Sequence, residues 1–220
     1  SRYFRGGHDL QFFNVGTPRV RALARRIASE HRDWTVDEAM TFANALIADP
    51  VLEVKGIAVE VVARYKRCFR PAHLADWKGW LADNHAANWA TTDAICGTLI
   101  GPLLVAHPEL AGKLRSWTRS SNLWVRRASA VGLLPGIRRG LFEDQGFATA
   151  QALHADAEDL MHKAVGWLLR ELGKVAPARL EQHLLTHGHG IPRTTVRYAI
   201  ERFPAAKRRE LLAATRAAGR

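Results

Sequence analysis

The chain has 220 residues, 47% of them hydrophobic, and a formal net charge of +11 from 32 Lys and Arg against 21 Asp and Glu. That hydrophobic content supplies a buried core and excludes wholesale disorder, and the length allows one large domain or a continuous stack of smaller units. The positive excess points to a polyanionic partner, because each basic group near a phosphate releases condensed counterions; a merely solvated basic surface is the alternative.

Helix signals recur along the chain. Thr17-Pro18 sets a capping residue before a proline in the first helical turn, where the missing N–H costs nothing. Asp49-Pro50 repeats the pattern, and Pro71, Pro108, Pro177, Pro192 and Pro204 each stand just before an apolar-periodic run. These prolines therefore open helices and do not break strands. Thr35 and Glu38 have capping-box spacing, and Pro135-Gly136 is expected to close the helix that begins near Asn122. Apolar periodicity predicts about twelve helices. They fall over 17–30, 35–48, 51–68, 71–83, 88–106 (kinked or divided at Gly101-Pro102), 108–119, 122–134, 143–153, 156–174, 177–186, 192–202 and 204–217. No alternating pattern suggests a strand. Pairs of roughly 35 residues suggest an all-α, HEAT-like repeat solenoid of antiparallel helix pairs with a basic concave face, over residues 1–220 as a single domain. A globular helical bundle is the alternative.

Cys68 and Cys96 are too few and too far apart for a disulfide framework. Both are expected to be small core residues in a reducing cytoplasm. No apolar run of about 18 residues is apparent, so no membrane partner is expected. Ser1-Arg2-Tyr3-Phe4-Arg5 does not have the order of a signal peptide and fits an internal start.

Three segments could carry chemistry. In Asn88-Trp89-Ala90-Thr91-Thr92-Asp93, Trp89 and Asp93 are one helical turn apart. An aromatic face beside a carboxylate suits a developing cation; a core tryptophan and a surface charge is the plainer account. In Ser121-Asn122-Leu123-Trp124-Val125-Arg126-Arg127, Ser121 or Asn122 can cap a helix and Trp124 faces the core. Adjacent Arg126 and Arg127 diverge by about 100°, so one should reach outward to a phosphate or to solvent. In Lys163 to Glu171, Gly166 costs roughly 1 kcal/mol in a helix interior and suggests close approach of another backbone beside Trp167.

In this order and spacing the segments resemble the AlkD family of bacterial alkylpurine DNA glycosylases, which are HEAT-like solenoids. The resemblance runs from Tyr3 to about Arg202 and includes Arg2-Tyr3-Phe4, Phe12-Phe13, Gly16-Thr17-Pro18 and Glu53-Val54-Lys55 through Tyr65. It implies that Trp89 and Asp93 are the motif tryptophan and catalytic aspartate, that Trp167 is the second active-site tryptophan, and that Arg127 contacts DNA. Ala90-Thr91-Thr92 is smaller and less acidic than the family motif, and Asp83 to Ala87 matches least. The resemblance further implies hydrolysis of the N-glycosidic bond of N3- or N7-alkylated, cationic purines in duplex DNA, bulky adducts included, without enclosing the base in a pocket. Asp93 would place the water and steady the sugar cation, and Trp89 and Trp167 would face the deoxyribose. Tyr3 would cover the site and Arg127 would bind a backbone phosphate; Arg126 and some of Arg170, Arg193 and Arg197, chosen for plausible direction, are expected to join it. A monomer acting in the bacterial cytoplasm at the nucleoid, with no cofactor and no metal, is expected.

His187-Gly188-His189-Gly190 offers two histidines without a third ligand and is expected to be a turn between helices. Lys207-Arg208-Arg209 makes the last helix basic, for DNA or for solvent. Two other functions stay open: a non-catalytic solenoid that binds distorted or branched DNA, and a HEAT-type adaptor for an acidic protein.

Overall fold

A computed structural model describes residues 10–216, which are helical with one isolated bridge between Gln11 and Val51. The chain divides into two compact units, residues 1–107 and 108–220. In the first, α1 (Thr17–Glu30), α2 (Val36–Ile47) and α3 (Leu52–Val62) are followed by a 3-10 turn to Cys68 and by α4 (His73–Ala82). Helix α5 (Trp89–Ile95) passes through a π-helical turn, Cys96–Ile100, into α6 (Gly101–Ala106). Helix α3 is the centre of this unit and packs against α1, α2 and α5. It can do so because Ala58, Val59, Val61 and Val62 are all buried, leaving little of its circumference for water.

The second unit opens with a 3-10 turn, Pro108–Lys113, and short α7 (Leu114–Trp117). It continues with α8 (Leu123–Val131), α9 (Leu134–Ile137), α10 (Glu143–Ala152), α11 (Asp159–Val175), α12 (Pro177–His187), α13 (Arg193–Ala199) and α14 (Ala205–Ala214). Here α11 is central and packs against α8, α10, α12 and, most extensively, α13. That last contact depends on Gly166: a Cβ there would lie 2.4 Å from the Tyr198 Cβ and 2.9 Å from the Thr195 carbonyl oxygen. The expected close backbone approach is therefore real, and its partner is α13.

The expected helices are found, with local corrections. Gly16, not Thr17, is the cap of α1, and Thr17-Pro18 are its first residues. Pro135-Gly136 does not end α8, which stops at Val131, but lies inside α9. Gly136 instead makes room for an aromatic ring, since a Cβ there would meet Phe142 at 2.2 Å. The division at Gly101-Pro102 takes the form of the π turn, in which the Gly101 N–H reaches back to the Cys96 carbonyl. Cys96 is buried as expected, whereas Cys68 is exposed at the end of its 3-10 turn. Trp89–Ala106 is also a correction: by length and a mean hydropathy of 1.3 this stretch could cross a membrane, although none was expected. Half of it is buried inside the protein, as in a core helix.

The Thr35–Glu38 capping box is complete: the Thr35 hydroxyl accepts the Glu38 N–H and the Glu38 carboxylate accepts the Thr35 N–H at 2.7 Å. Thr35→Ala removes a cap acceptor and should cost about 1 kcal/mol of unfolding free energy, measured by urea titration. An unchanged midpoint would mean that tertiary contacts alone hold the start of α2.

Candidate functional site

In the first unit the motif segment is fixed from both sides. Asn88 caps α5, its Oδ1 accepting the Thr91 N–H at 2.8 Å. The Thr92 hydroxyl donates to the Ala86 carbonyl at 2.9 Å. Thr91 and Thr92 are buried. Two of the three residues between Trp89 and Asp93 therefore anchor the helix from inside. From α3, Lys55 donates to the carbonyls of Ile47 (2.9 Å) and His85 (2.7 Å), tying down the turn that leads into Asn88. Burial holds the Lys55 amine below the usual lysine range, partly opposed by Asp49. On this platform Trp89 and Asp93, one turn apart at the start of α5, are both half-buried, and the π turn follows three residues after Asp93. Widened turns of this kind occur often at functional sites.

Tryptophan burial separates two groups. Trp77, Trp80, Trp117 and Trp124 are buried, as packing would have them. Trp34, Trp89 and Trp167 are only partly buried. Both tryptophans singled out by the resemblance are thus in the accessible group, while Trp124 is in the core as expected.

Trp167 and the arginines belong to the second unit. Asn122 caps α8, accepting the N–H groups of Trp124 and Val125. The expectation that one of the next two arginines reaches outward is not met. Arg126 pairs with Asp156 at 2.7 Å and donates to the carbonyls of Ser120 and Ser121. Arg127 is 5% exposed and donates to the Leu160 carbonyl at 2.5 Å. Arg170 pairs with Glu201. Arg193 holds the end of α14 through Thr215 and the Leu212 carbonyl, and burial, with Arg197 and Arg216 nearby, keeps it below the usual arginine range. Arg197 is exposed. Tyr3 lies outside the described residues.

Sequence reasoning missed two clusters. Glu171, at the end of the quoted α11 run, is buried and gathers Arg138 and Lys174 beside Trp167. Arg138 lies 33 residues away, and no periodicity links the two. The second cluster joins His154, His183 and His187, with the Nε2 atoms of His154 and His183 3.2 Å apart. Burial, then the neighbouring histidines, pushes His154 and His183 down to about 4, with Arg179 adding to the effect on His183. Both histidines are thus neutral in the folded protein where they would begin to charge in the unfolded chain. Stability is full above pH 6.5 and falls as pH drops from about 6.5 toward 4. After allowance for solvent screening the loss is on the order of 1 kcal/mol for each histidine. Urea titrations at pH 7.5 and pH 4.5 measure it, and His183→Gln should flatten the difference. A pH-independent midpoint over that window would sink the prediction.

Taken together, the chain is an all-helical protein with a capped Trp–Asp motif on one unit and a glycine-dependent helix crossing beside a half-exposed tryptophan on the other. The family model for DNA alkylation repair enzymes matches residues 1–203, and the chain belongs to that family. Among solved structures, a predicted DNA alkylation repair enzyme from Enterococcus faecalis superimposes with a TM-score of 0.80 at 17% identity, over 90% of each chain. AlkD2 from Streptococcus mutans superimposes with a TM-score of 0.65 at 17% identity, over 88% of this chain and 93% of that one. At such identities these likenesses establish the fold. No curated protein matches the chain.

Proposed function

We propose that this protein is an alkylpurine DNA glycosylase, hydrolysing the N-glycosidic bond of N3- or N7-alkylated purines in duplex DNA, with residues 1–220 acting as one HEAT-like catalytic domain. The observation that carries the reading is the retention of Asp93 one turn from a half-exposed Trp89, on a helix start fixed by Asn88, Thr92 and Lys55. A pure DNA binder has no need of that carboxylate. The family match over both units supports the same reading.

An N3- or N7-alkylated purine is cationic and leaves as a neutral base, so no general acid is required. The remaining task is to stabilise an oxocarbenium-like sugar and to hold a water. Asp93 does both in this scheme, and Trp89 presents its ring face to the deoxyribose, adding cation–π attraction; Trp167, on the second unit, offers a ring of the same kind. Binding through sugar and backbone leaves bulky adducts acceptable. Arg197 and the N-terminal Tyr3 complete the grip in this scheme. Arg126, Arg127, Arg170 and Arg193 each already hold a protein carbonyl or carboxylate through part of the guanidinium.

The test measures free base released from a duplex carrying a single N7-methylguanine, with Asp93→Asn alongside. Release by wild type and its loss in the variant support the reading. No release from any cationic purine lesion, with duplex binding intact, would favour a non-catalytic DNA-binding protein.

A further inference from the structure

We propose that Arg138 and Lys174, held by the buried carboxylate of Glu171 beside Trp167, form a clamp for a DNA backbone phosphodiester. The proposal rests on the glycosylase reading for its ligand, but its geometry lies wholly within the second unit.

Trp167 and Glu171 are four residues apart on α11 and so share one face of that helix. Arg138 follows α9 and reaches that face with two contacts at once. Its Nε donates to Glu171 Oε2 at 3.0 Å, and its guanidinium carbon lies 5.8 Å from the Trp167 ring centroid. Lys174 donates to the other carboxylate oxygen at 2.7 Å. Glu171 is only 4% exposed, whereas the Arg138 and Lys174 side chains are 49% and 45% exposed. The carboxylate thus lies inside with its cations at the surface. Both cations hold it below the usual glutamate range against the effect of burial.

One carboxylate cannot neutralise two cations, so the group carries a net positive charge beside the tryptophan. Glu171 occupies Nε and leaves both Nη groups of Arg138, which have no hydrogen-bond partner among the described residues. A guanidinium fixed in this way presents a planar fork of donors, which suits phosphate oxygens. A deoxyribose lying on Trp167 carries phosphates on either side, so an anion of this class stands beside the ring by covalent necessity. The arginines selected from the sequence are mostly enclosed by the protein, whereas the Arg138 side chain is half exposed.

A purely structural staple between α9 and α11 would use the same contacts, so the test must separate the two. Binding of a duplex with a central tetrahydrofuran abasic site is measured by fluorescence anisotropy over a salt series, with folding checked by thermal melting. Arg138→Gln should weaken binding several-fold and lower the slope of log K against log salt by about one, as expected for loss of a single phosphate contact. Arg139→Gln, the same charge change at the adjacent exposed arginine, should have less than half that effect. Glu171→Gln is the sharper variant. It raises the net charge by one, so simple electrostatics predicts tighter binding, whereas a clamp that has lost its anchor binds more weakly. Should Glu171→Gln fail to fold, Arg138→Lys takes its place; it keeps the charge but loses the fork, and should fall between wild type and Arg138→Gln. Equal effects at positions 138 and 139, or tighter binding by folded Glu171→Gln, overturn the clamp and leave the glycosylase reading standing if wild type still releases base. A wild-type protein that binds no duplex overturns both.

Discussion

Asp93→Asn is expected to lower the single-turnover rate of N7-methylguanine release about a thousandfold while leaving duplex affinity within a few-fold of wild type. The magnitude follows from the charge removed. A carboxylate about 4 Å from a unit positive charge contributes roughly 4 kcal/mol at an effective dielectric of 20, which is about three powers of ten in rate. Asparagine keeps the shape and much of the hydrogen bonding, so Asn88, Thr92 and Lys55 should hold α5 as before. The change is therefore confined to charge on the developing sugar cation, and it belongs in the rate of bond cleavage and not in binding. Equal release by the variant would remove Asp93 from the chemistry. Tryptophan faces contribute less: cation–π attraction of about 1 kcal/mol limits the effect of Trp89→Leu or Trp167→Leu to roughly fivefold each.

Gly166→Ala should lower unfolding free energy by about 2 kcal/mol, although alanine is the better helix former. In an unobstructed helix the exchange would stabilise by about 1 kcal/mol. Here the added methyl meets the Tyr198 Cβ at 2.4 Å and the Thr195 carbonyl at 2.9 Å. None of these atoms is the end of a flexible side chain, so α13 itself must retreat from α11. Overpacking of this kind costs roughly 1–3 kcal/mol or more, and the bond from the Thr195 hydroxyl to the His162 carbonyl, 2.9 Å long, is stretched with it. Thermal melting should show a midpoint several degrees lower. Gly79→Ala is the control, because a Cβ at that position on α4 meets nothing within 4 Å, and it should stabilise. If both variants stabilise, the α11–α13 crossing does not depend on glycine.

Local rules made the helices legible. Capping residues, prolines in first turns and apolar periodicity are short-range signals, and the elements they predicted are present: the Thr35 box, the Pro18 and Pro177 starts, and the cap at Asn122. Where the reading failed, a distant residue had intervened. Pro135-Gly136 resembles a helix stop, but Gly136 is there for the ring of Phe142. Cys68, expected in the core, is exposed, because the helix tightens to a 3-10 turn after Val62 and the buried face no longer follows the α-helical period.

For the site, the sequence by itself determined which residues share a helix face: Trp89 with Asp93, and Trp167 with Glu171. Backbone geometry alone sets that relation. Only the tertiary structure decided what each side chain is used for. Arg126, Arg127, Arg170 and Arg193 look like available cations in a basic chain, yet each is taken up by a carbonyl or carboxylate tens of residues away. Arg138 drew no notice in the sequence and is the one that comes to rest beside Trp167. A charge is local, but its partner is chosen by the packing of helices far apart in sequence, and burial makes that pairing obligatory.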